Sequence, residues 1–113
     1  MLTIELAAED DRISRVFGAL SDPIRRAMLA RLAHGEATVG ELSAPHAVSA
    51  PAISRHLRVL ESAGLITKGR TGTWRPCRLD VDGLRAADAW MAPFRDFFED
   101  RFDRLAAQLE EER

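Results

Sequence analysis

SAPAISRHLRVLESAGLI, Ser49 to Ile66, reads as one helix with two unlike sides. Ile53, Leu57 and Leu60 recur at helical spacing and form an apolar face. Ser54, Arg55 and Arg58 fall on or near the opposite side, with His56 at its edge. Ser49 suits the N-cap, Pro51 sits in the first turn where a missing N–H costs nothing, and Gly64 closes the helix. A helix over 49–63 with this pattern presses one side on a core and offers Arg, His and Ser to a polar partner.

The flanking sequence supplies the rest of a small helical domain. Residues 3–20 predict a first helix with Leu6, Ile13, Val16, Phe17 and Leu20 as its apolar set. Ser21-Asp22-Pro23 starts a second, which runs to about Ala33 and buries Ile24, Met28, Leu29 and Leu32 before Gly35 stops it. Thr38 caps a short third helix, VGELS, with Val39 and Leu42 expected to face inward. A turn around Pro45 then leads to Ser49.

After Gly64 the pattern changes to a hairpin. Leu65 to Lys68 is a short strand, Gly69 to Thr73 a turn with two glycines, and Trp74 to Leu79 the return strand. Arg75, Cys77 and Leu79 are expected on one face, and Trp74, Pro76 and Arg78 on the other. Pro76 has no N–H for a ladder, which predicts an edge strand. From Val81 to about Glu111 a last helical region carries Leu84, Ala87, Met91, Phe94, Phe98, Phe102, Leu105 and Leu109 at spacings of three and four. Pro93 predicts a kink or break near Ala92.

Composition bounds the possibilities. With 113 residues, 46% apolar and 30% charged, the chain reads as a single soluble domain over 1–113. There is no run long enough for a membrane span and no signal-peptide pattern at the N-terminus. One cysteine makes no internal disulfide, so a cytoplasmic setting is expected. The net charge of −2 hides a segregation. Residues 51–79 hold Arg55, Arg58, Lys68, Arg70, Arg75 and Arg78 against Glu61 alone, a net of +5, while the remainder carries −7. A basic patch on an acidic chain points to a local polyanion-binding surface.

Helix, turn and helix over 38–63 make a helix-turn-helix, in which the second helix packs by its apolar face and lays its polar face in the DNA major groove. The hairpin is then a wing, with Lys68, Arg70, Thr71 and Arg75 near its tip, placed for phosphates or a neighbouring minor groove. Over nearly its full length the chain resembles the ArsR/SmtB-type winged helix-turn-helix repressors. The resemblance rests on FGALSDPIRRAMLARL, TVGEL, VSAPAISRHLRVLESAGLI and the wing GRTGTWRPCRLD. The long aromatic last helix is similar to that of the small autorepressors rather than the metal sensors. Such proteins often carry an aromatic pair after Trp-Arg, where this chain has Pro76 and Cys77.

The resemblance implies a mainly α fold, in the order α-α-α-α-β-β-α. It also implies a homodimer formed by the first and last helices, an inverted-repeat operator in double-stranded DNA, and an inducer that releases it. Carried over by residue, the DNA contacts would be Ser49, Ala50, Ser54, Arg55, His56 and Arg58 on the recognition helix, and Lys68, Arg70, Thr71 and Arg75 on the wing 65–79. Arg25 and Arg26 are placed either for phosphate or for internal ion pairs. The dimer surface would use Ile4, Leu6, Ile13 and Phe17 with Leu84, Ala87, Met91, Phe94, Phe98, Phe102 and Leu105 of the helix 81–111.

Other chemistries find less support. His34, His46 and His56 lie in a loop, a turn and the recognition helix, and neither terminal helix holds His or Cys, so no metal and no other cofactor is expected. No Ser-His-Asp order or glycine-rich phosphate loop suggests an enzyme. Cys77 is expected to be packed and inert, a redox-responsive regulator being the alternative. Trp90 and Phe97 lie off the main apolar stripe and would be the residues of an apolar pocket. The acidic run Asp96, Glu99, Asp100 and Asp103, interleaved with Arg95, Arg101 and Arg104, reads as a solvated, ion-paired face. A protein-interaction module working through the last helix is the alternative from another functional class.

Overall fold

The computed structural model describes the backbone of residues 2–111 and the side chains of residues 11–111. Helix α1 spans Leu2–Leu20 and α2 spans Pro23–Leu32. Strand β1 (Ala37–Thr38) precedes α3 (Val39–Ser43) and α4 (Ala50–Ser62). Strands β2 (Ile66–Lys68) and β3 (Pro76–Leu79) form the hairpin, and α5 (Val81–Glu111) ends the chain. The predicted order of helices and hairpin holds, with one strand added.

The starts of α2, α3 and α4 each have a local cause. The Asp22 carboxylate accepts from the Arg25 N–H at 3.0 Å, which satisfies one free donor of α2. Thr38 and Glu41 form a reciprocal capping box on α3. The Ser49 hydroxyl accepts from the Ala52 N–H at 3.3 Å at the start of α4. The end of α4 is a Schellman closure, in which Gly64 N–H reaches Glu61 O and Leu65 N–H reaches Leu60 O, both at 3.0 Å. Gly64 adopts φ +72°, the left-handed conformation that a side chain disfavours.

The core lies where α1, α2 and α4 meet the sheet. Val16 and Ala19 of α1, Met28, Leu29 and Leu32 of α2, and Ile53, Leu57 and Leu60 of α4 are buried there with Leu65, Ile66 and Cys77. Ile24 is half-buried against this cluster. In α3 only Leu42 of the expected pair is inside. Val39 is 37% exposed, because a helix of five residues turns one position inward and leaves its first residue at the rim.

The strand order is β1-β3-β2, all antiparallel, so β3 is central and not an edge. Ala37 pairs with Cys77 and Thr38 with Pro76 on one side, while Lys68 pairs with Cys77 on the other. Pro76 is accommodated because it is the first residue of β3, where its carbonyl still accepts from Gly69 N–H at 2.8 Å. Pro76 and Cys77 are both buried, so the predicted alternation of faces starts only after them. At the wing tip Thr71 and Trp74 exchange two backbone hydrogen bonds of 2.9 Å around Gly72-Thr73. Gly72 at φ +63° is the first central residue, the φ pattern of a type II′ turn.

Helix α5 runs from Val81 to Glu111 with Pro93 inside it, so the predicted break is absent. At its start the helix rests on the end of α4, where Gly83 N–H donates to Gly64 O at 3.0 Å. A Cβ at Gly83 would lie 2.7 Å from Gly64 O, 2.9 Å from Ala63 O and 2.9 Å from Leu65 Cδ2. Gly83→Ala should therefore lower stability by roughly 1–3 kcal/mol, read as a lower urea midpoint with an unchanged slope.

Candidate nucleic-acid interface

Burial of Ile53, Leu57 and Leu60 turns the other side of α4 outward, so Ser54, Arg55 and Arg58 are exposed together. Ser49 and Ala50, at the N-terminal end of the helix, are also exposed. No carboxylate among the described residues pairs with Arg55 or Arg58, not even Glu61 three residues after Arg58. Both arginines line an open groove of about 470 Å³ between α4 and α1, and the far wall adds Arg15 with Gly18 and Ala19. Arg15 was not a sequence candidate. It lies some forty residues upstream, and only the packing of α1 on α4 brings it there.

The wing supplies a second basic cluster. Lys68, Arg70 and Arg75 line one hollow of about 240 Å³ with Val39, Gly69 and Cys77. Thr71 is exposed at the tip. Arg78, counted in the basic patch, is not free, since its Nε donates to Glu36 at 2.6 Å. Arg31 is likewise paired with Glu41 at 3.3 Å.

Arg25 and Arg26 form no ion pair with a carboxylate among the described residues, and both turn to backbone carbonyls. Arg26 donates to Leu20 O at 2.8 Å, and Arg25 donates to Ala19 O at 2.8 Å and Gly18 O at 3.1 Å. These are the last carbonyls of α1, which have no partner within the helix. The third edge of Arg25 meets His56 Nδ1 at 3.1 Å. His56 is thus placed differently from Ser54 and Arg55, with its side chain only 16% exposed. The backbone N–H of Arg25 holds the Asp22 carboxyl below its usual value of 3.8, against the opposing effect of burial, and nearby His56 and Arg25 charges add to the lowering.

Cys77 is buried, and desolvation raises its thiol above the ordinary value of 9.0 despite nearby Lys68. That suppresses the thiolate a redox switch needs. The three histidines stay apart, and among the described residues no cluster of His, Cys, Asp or Glu is placed to hold a metal. Trp90 packs edge-on to Phe17 at 5.7 Å and beside Phe94 at 5.1 Å. Phe97 instead carries the Arg101 guanidinium 4.5 Å over its ring, so the two pocket residues serve different contacts. On the acidic run, Arg104 pairs with Asp100 at 3.0 Å, while Arg95 reaches back to Asp88 outside it. No described helix is long and apolar enough to cross a membrane.

Among the residues expected at a dimer surface, the side chains of Ile4 and Leu6 lie outside the described residues. Ile13, Phe17 and Leu84 are half-buried. Ala87 is already buried within its own chain, under α1, and belongs to the core. Met91, Phe94, Phe98, Phe102 and Leu105 are exposed, Phe102 by 67%.

Helices around an α4 with a basic outer face, followed by a basic hairpin, define a winged helix-turn-helix protein. Residues 22–68 match the bacterial regulatory protein, arsR family. The chain is 49% identical over 72 residues to the HTH-type transcriptional regulator Rv2034 of Mycobacterium tuberculosis, covering 64% of this chain and 67% of that one. It is 35% identical over 82 residues to the transcriptional repressor SdpR of Bacillus subtilis, covering 73% and 91%. The crystal structure of an ArsR family transcriptional regulator superposes with a TM-score of 0.73 at 36% identity, covering 80% of this chain and 93% of that one. A homodimeric winged helix-turn-helix DNA-binding domain from Mycobacterium bovis superposes with a TM-score of 0.61 at 26% identity, covering 87% and 88%. The chain belongs to the arsR family of bacterial regulatory proteins. It is a transcriptional regulator, not an enzyme.

The burial of Cys77 gives a direct test. Its thiol should react slowly with a disulfide reagent in the native protein and completely once unfolded, and activity should be unaffected by mild oxidant. Rapid native-state labelling would contradict the packed, protonated thiol.

Proposed function

We propose that this regulator is a homodimeric repressor that acts in the cytoplasm and binds an inverted-repeat DNA operator. The observation that carries the reading is the outer face of α4, where Ser54, Arg55 and Arg58 stand exposed, with neither arginine tied to a carboxylate among the described residues. Two such helices in a symmetric dimer enter successive major grooves about one DNA turn apart. Ser49 and Ala50 approach a phosphate at the helix N-terminus, Ser54 and Arg55 read base edges, and Arg58 with Arg15 takes the adjoining backbone. Lys68, Arg70, Thr71 and Arg75 anchor the wing to phosphates.

Support for the dimer is the apolar row on α5. Met91, Phe94, Phe98, Phe102, Leu105 and Leu109 are all exposed, far more apolar surface than a solvated helix face carries. The Mycobacterium bovis relative, a homodimer by its description, supports the same arrangement.

Binding to DNA from upstream of the protein's own gene, against scrambled DNA across a salt series, tests the reading. Arg55→Ala should cut the specific-to-scrambled ratio roughly tenfold or more. Arg70→Ala should weaken both DNAs alike and flatten the log–log salt slope by about 0.9 per lost phosphate contact. Equal ratios in the two variants would remove the division between base reader and phosphate anchor. For the dimer, the wild type should sediment at twice 12.6 kDa, and Phe98→Glu should give a folded monomer with far weaker operator binding.

A further inference from the structure

His56 and Arg25 are thirty-one residues apart, yet Arg25 Nη1 lies 3.1 Å from His56 Nδ1. A guanidinium has five N–H donors, no acceptor, and keeps its charge. The hydrogen bond therefore requires a lone pair on Nδ1, which puts the proton of the neutral ring on Nε2. Asp22 Oδ2 is also near Nδ1, at 3.9 Å, but that is beyond hydrogen-bond reach and the same oxygen already accepts from Arg25 N–H at 3.0 Å. The contact with Arg25 is the one that fixes the ring.

Arg25 cannot swing away easily. Its Nε and Nη2 hold the Ala19 and Gly18 carbonyls at the end of α1, and its backbone N–H is held by the cap of α2. One side chain thus joins α1, α2 and α4. The far nitrogen of the imidazole, Nε2, has no partner among the described residues. No buried side-chain nitrogen or oxygen among them lacks a partner, so Nε2 reaches the solvent.

We propose that Arg25 is a positioning residue for DNA reading. It holds His56 in the Nε2–H tautomer, so that α4 presents a fixed hydrogen-bond donor to an acceptor on a base edge, such as purine N7, guanine O6 or thymine O4. This rests on the DNA reading proposed above for α4. A donor locked in one tautomer rejects a base edge that offers only an amino group there. Arg25 acts through His56: all three of its guanidinium nitrogens are engaged by the α1 carbonyls and the imidazole.

The test uses the full chain with nitrogen-15 label and two-bond imidazole spectra at mildly alkaline pH. His56 should show a single Nε2–H tautomer with its Nδ1 resonance displaced by an accepted hydrogen bond, unlike His34 and His46. Arg25→Met should return His56 to the tautomer mixture of an unconstrained imidazole. Arg25→Lys, which keeps one donor for the α1 carbonyls, serves if the methionine variant does not fold. In parallel, Arg25→Met should lower the specific-to-scrambled DNA ratio by roughly fivefold, and His56→Gln should make that ratio indifferent to Arg25. A His56 spectrum that does not respond to Arg25, or a wild-type ring protonated on Nδ1, would overturn the positioning role whatever the DNA result. A changed spectrum with an unchanged ratio, in protein that still binds its operator, would overturn the reading role. Failure of the wild type to discriminate DNA at all would strike the proposed function instead and with it the reading role, leaving the spectra to judge the Arg25–His56 contact alone.

Discussion

The apolar face of α4 is the constraint on which the rest depends. Ile53, Leu57 and Leu60 are all buried against the first two helices and the sheet. Each such burial contributes roughly 1.5–3 kcal/mol relative to exposure, more than any cap or surface ion pair in the chain. With those three side chains committed, rotation of α4 about its axis is fixed. Ser54, Arg55 and Arg58 then face outward because nothing else is left for them. The functional face is a consequence of the core and needs no separate device to orient it.

Partnership decides which of the basic residues are free to work. Arg31 and Arg78 are matched with Glu41 and Glu36, and Arg25 and Arg26 donate to the carbonyls of α1. Arg55 and Arg58 are matched with no carboxylate among the described residues, and they gather with Arg15 along one groove. A paired arginine must first lose its partner to meet a phosphate, so the unpaired ones dominate a polyanion surface. Net charge conceals this, since the chain as a whole is acidic by two units.

The last helix follows a different logic. It begins in tight contact, with Gly83 against the backbone that closes α4 and Ala87 buried under α1. Beyond Trp90, which rests on Phe17, the apolar row leaves its own chain behind. At about 1.5 Å per residue, the 31 residues of α5 make it roughly 46 Å long. Its first turns belong to the core, and its later turns carry the exposed apolar row on which the proposed dimer rests.

Local chemistry was enough to read the helices from the residues. Asp22, Thr38 and Ser49 cap where the sequence placed caps, Gly64 closes α4, and the periodicity of 53–60 gave the correct buried face. These features act within one or two turns, so the sequence displays them directly. Strand β1 leaves no signal in the sequence, because two residues are too few for alternation to register, and without it β3 reads as an edge. The sequence points Val39 inward and the structure leaves it at the rim, because five residues do not determine which way a helix faces. The close approach at Gly83, the position of Arg15 and the contact between Arg25 and His56 all join residues distant in the chain. The sequence by itself determined the helices, the hairpin and the polarity of α4. Tertiary packing alone decided which arginines are free, which nitrogen of His56 is bonded and which strand is central, because each depends on what a distant segment brings within a few ångströms.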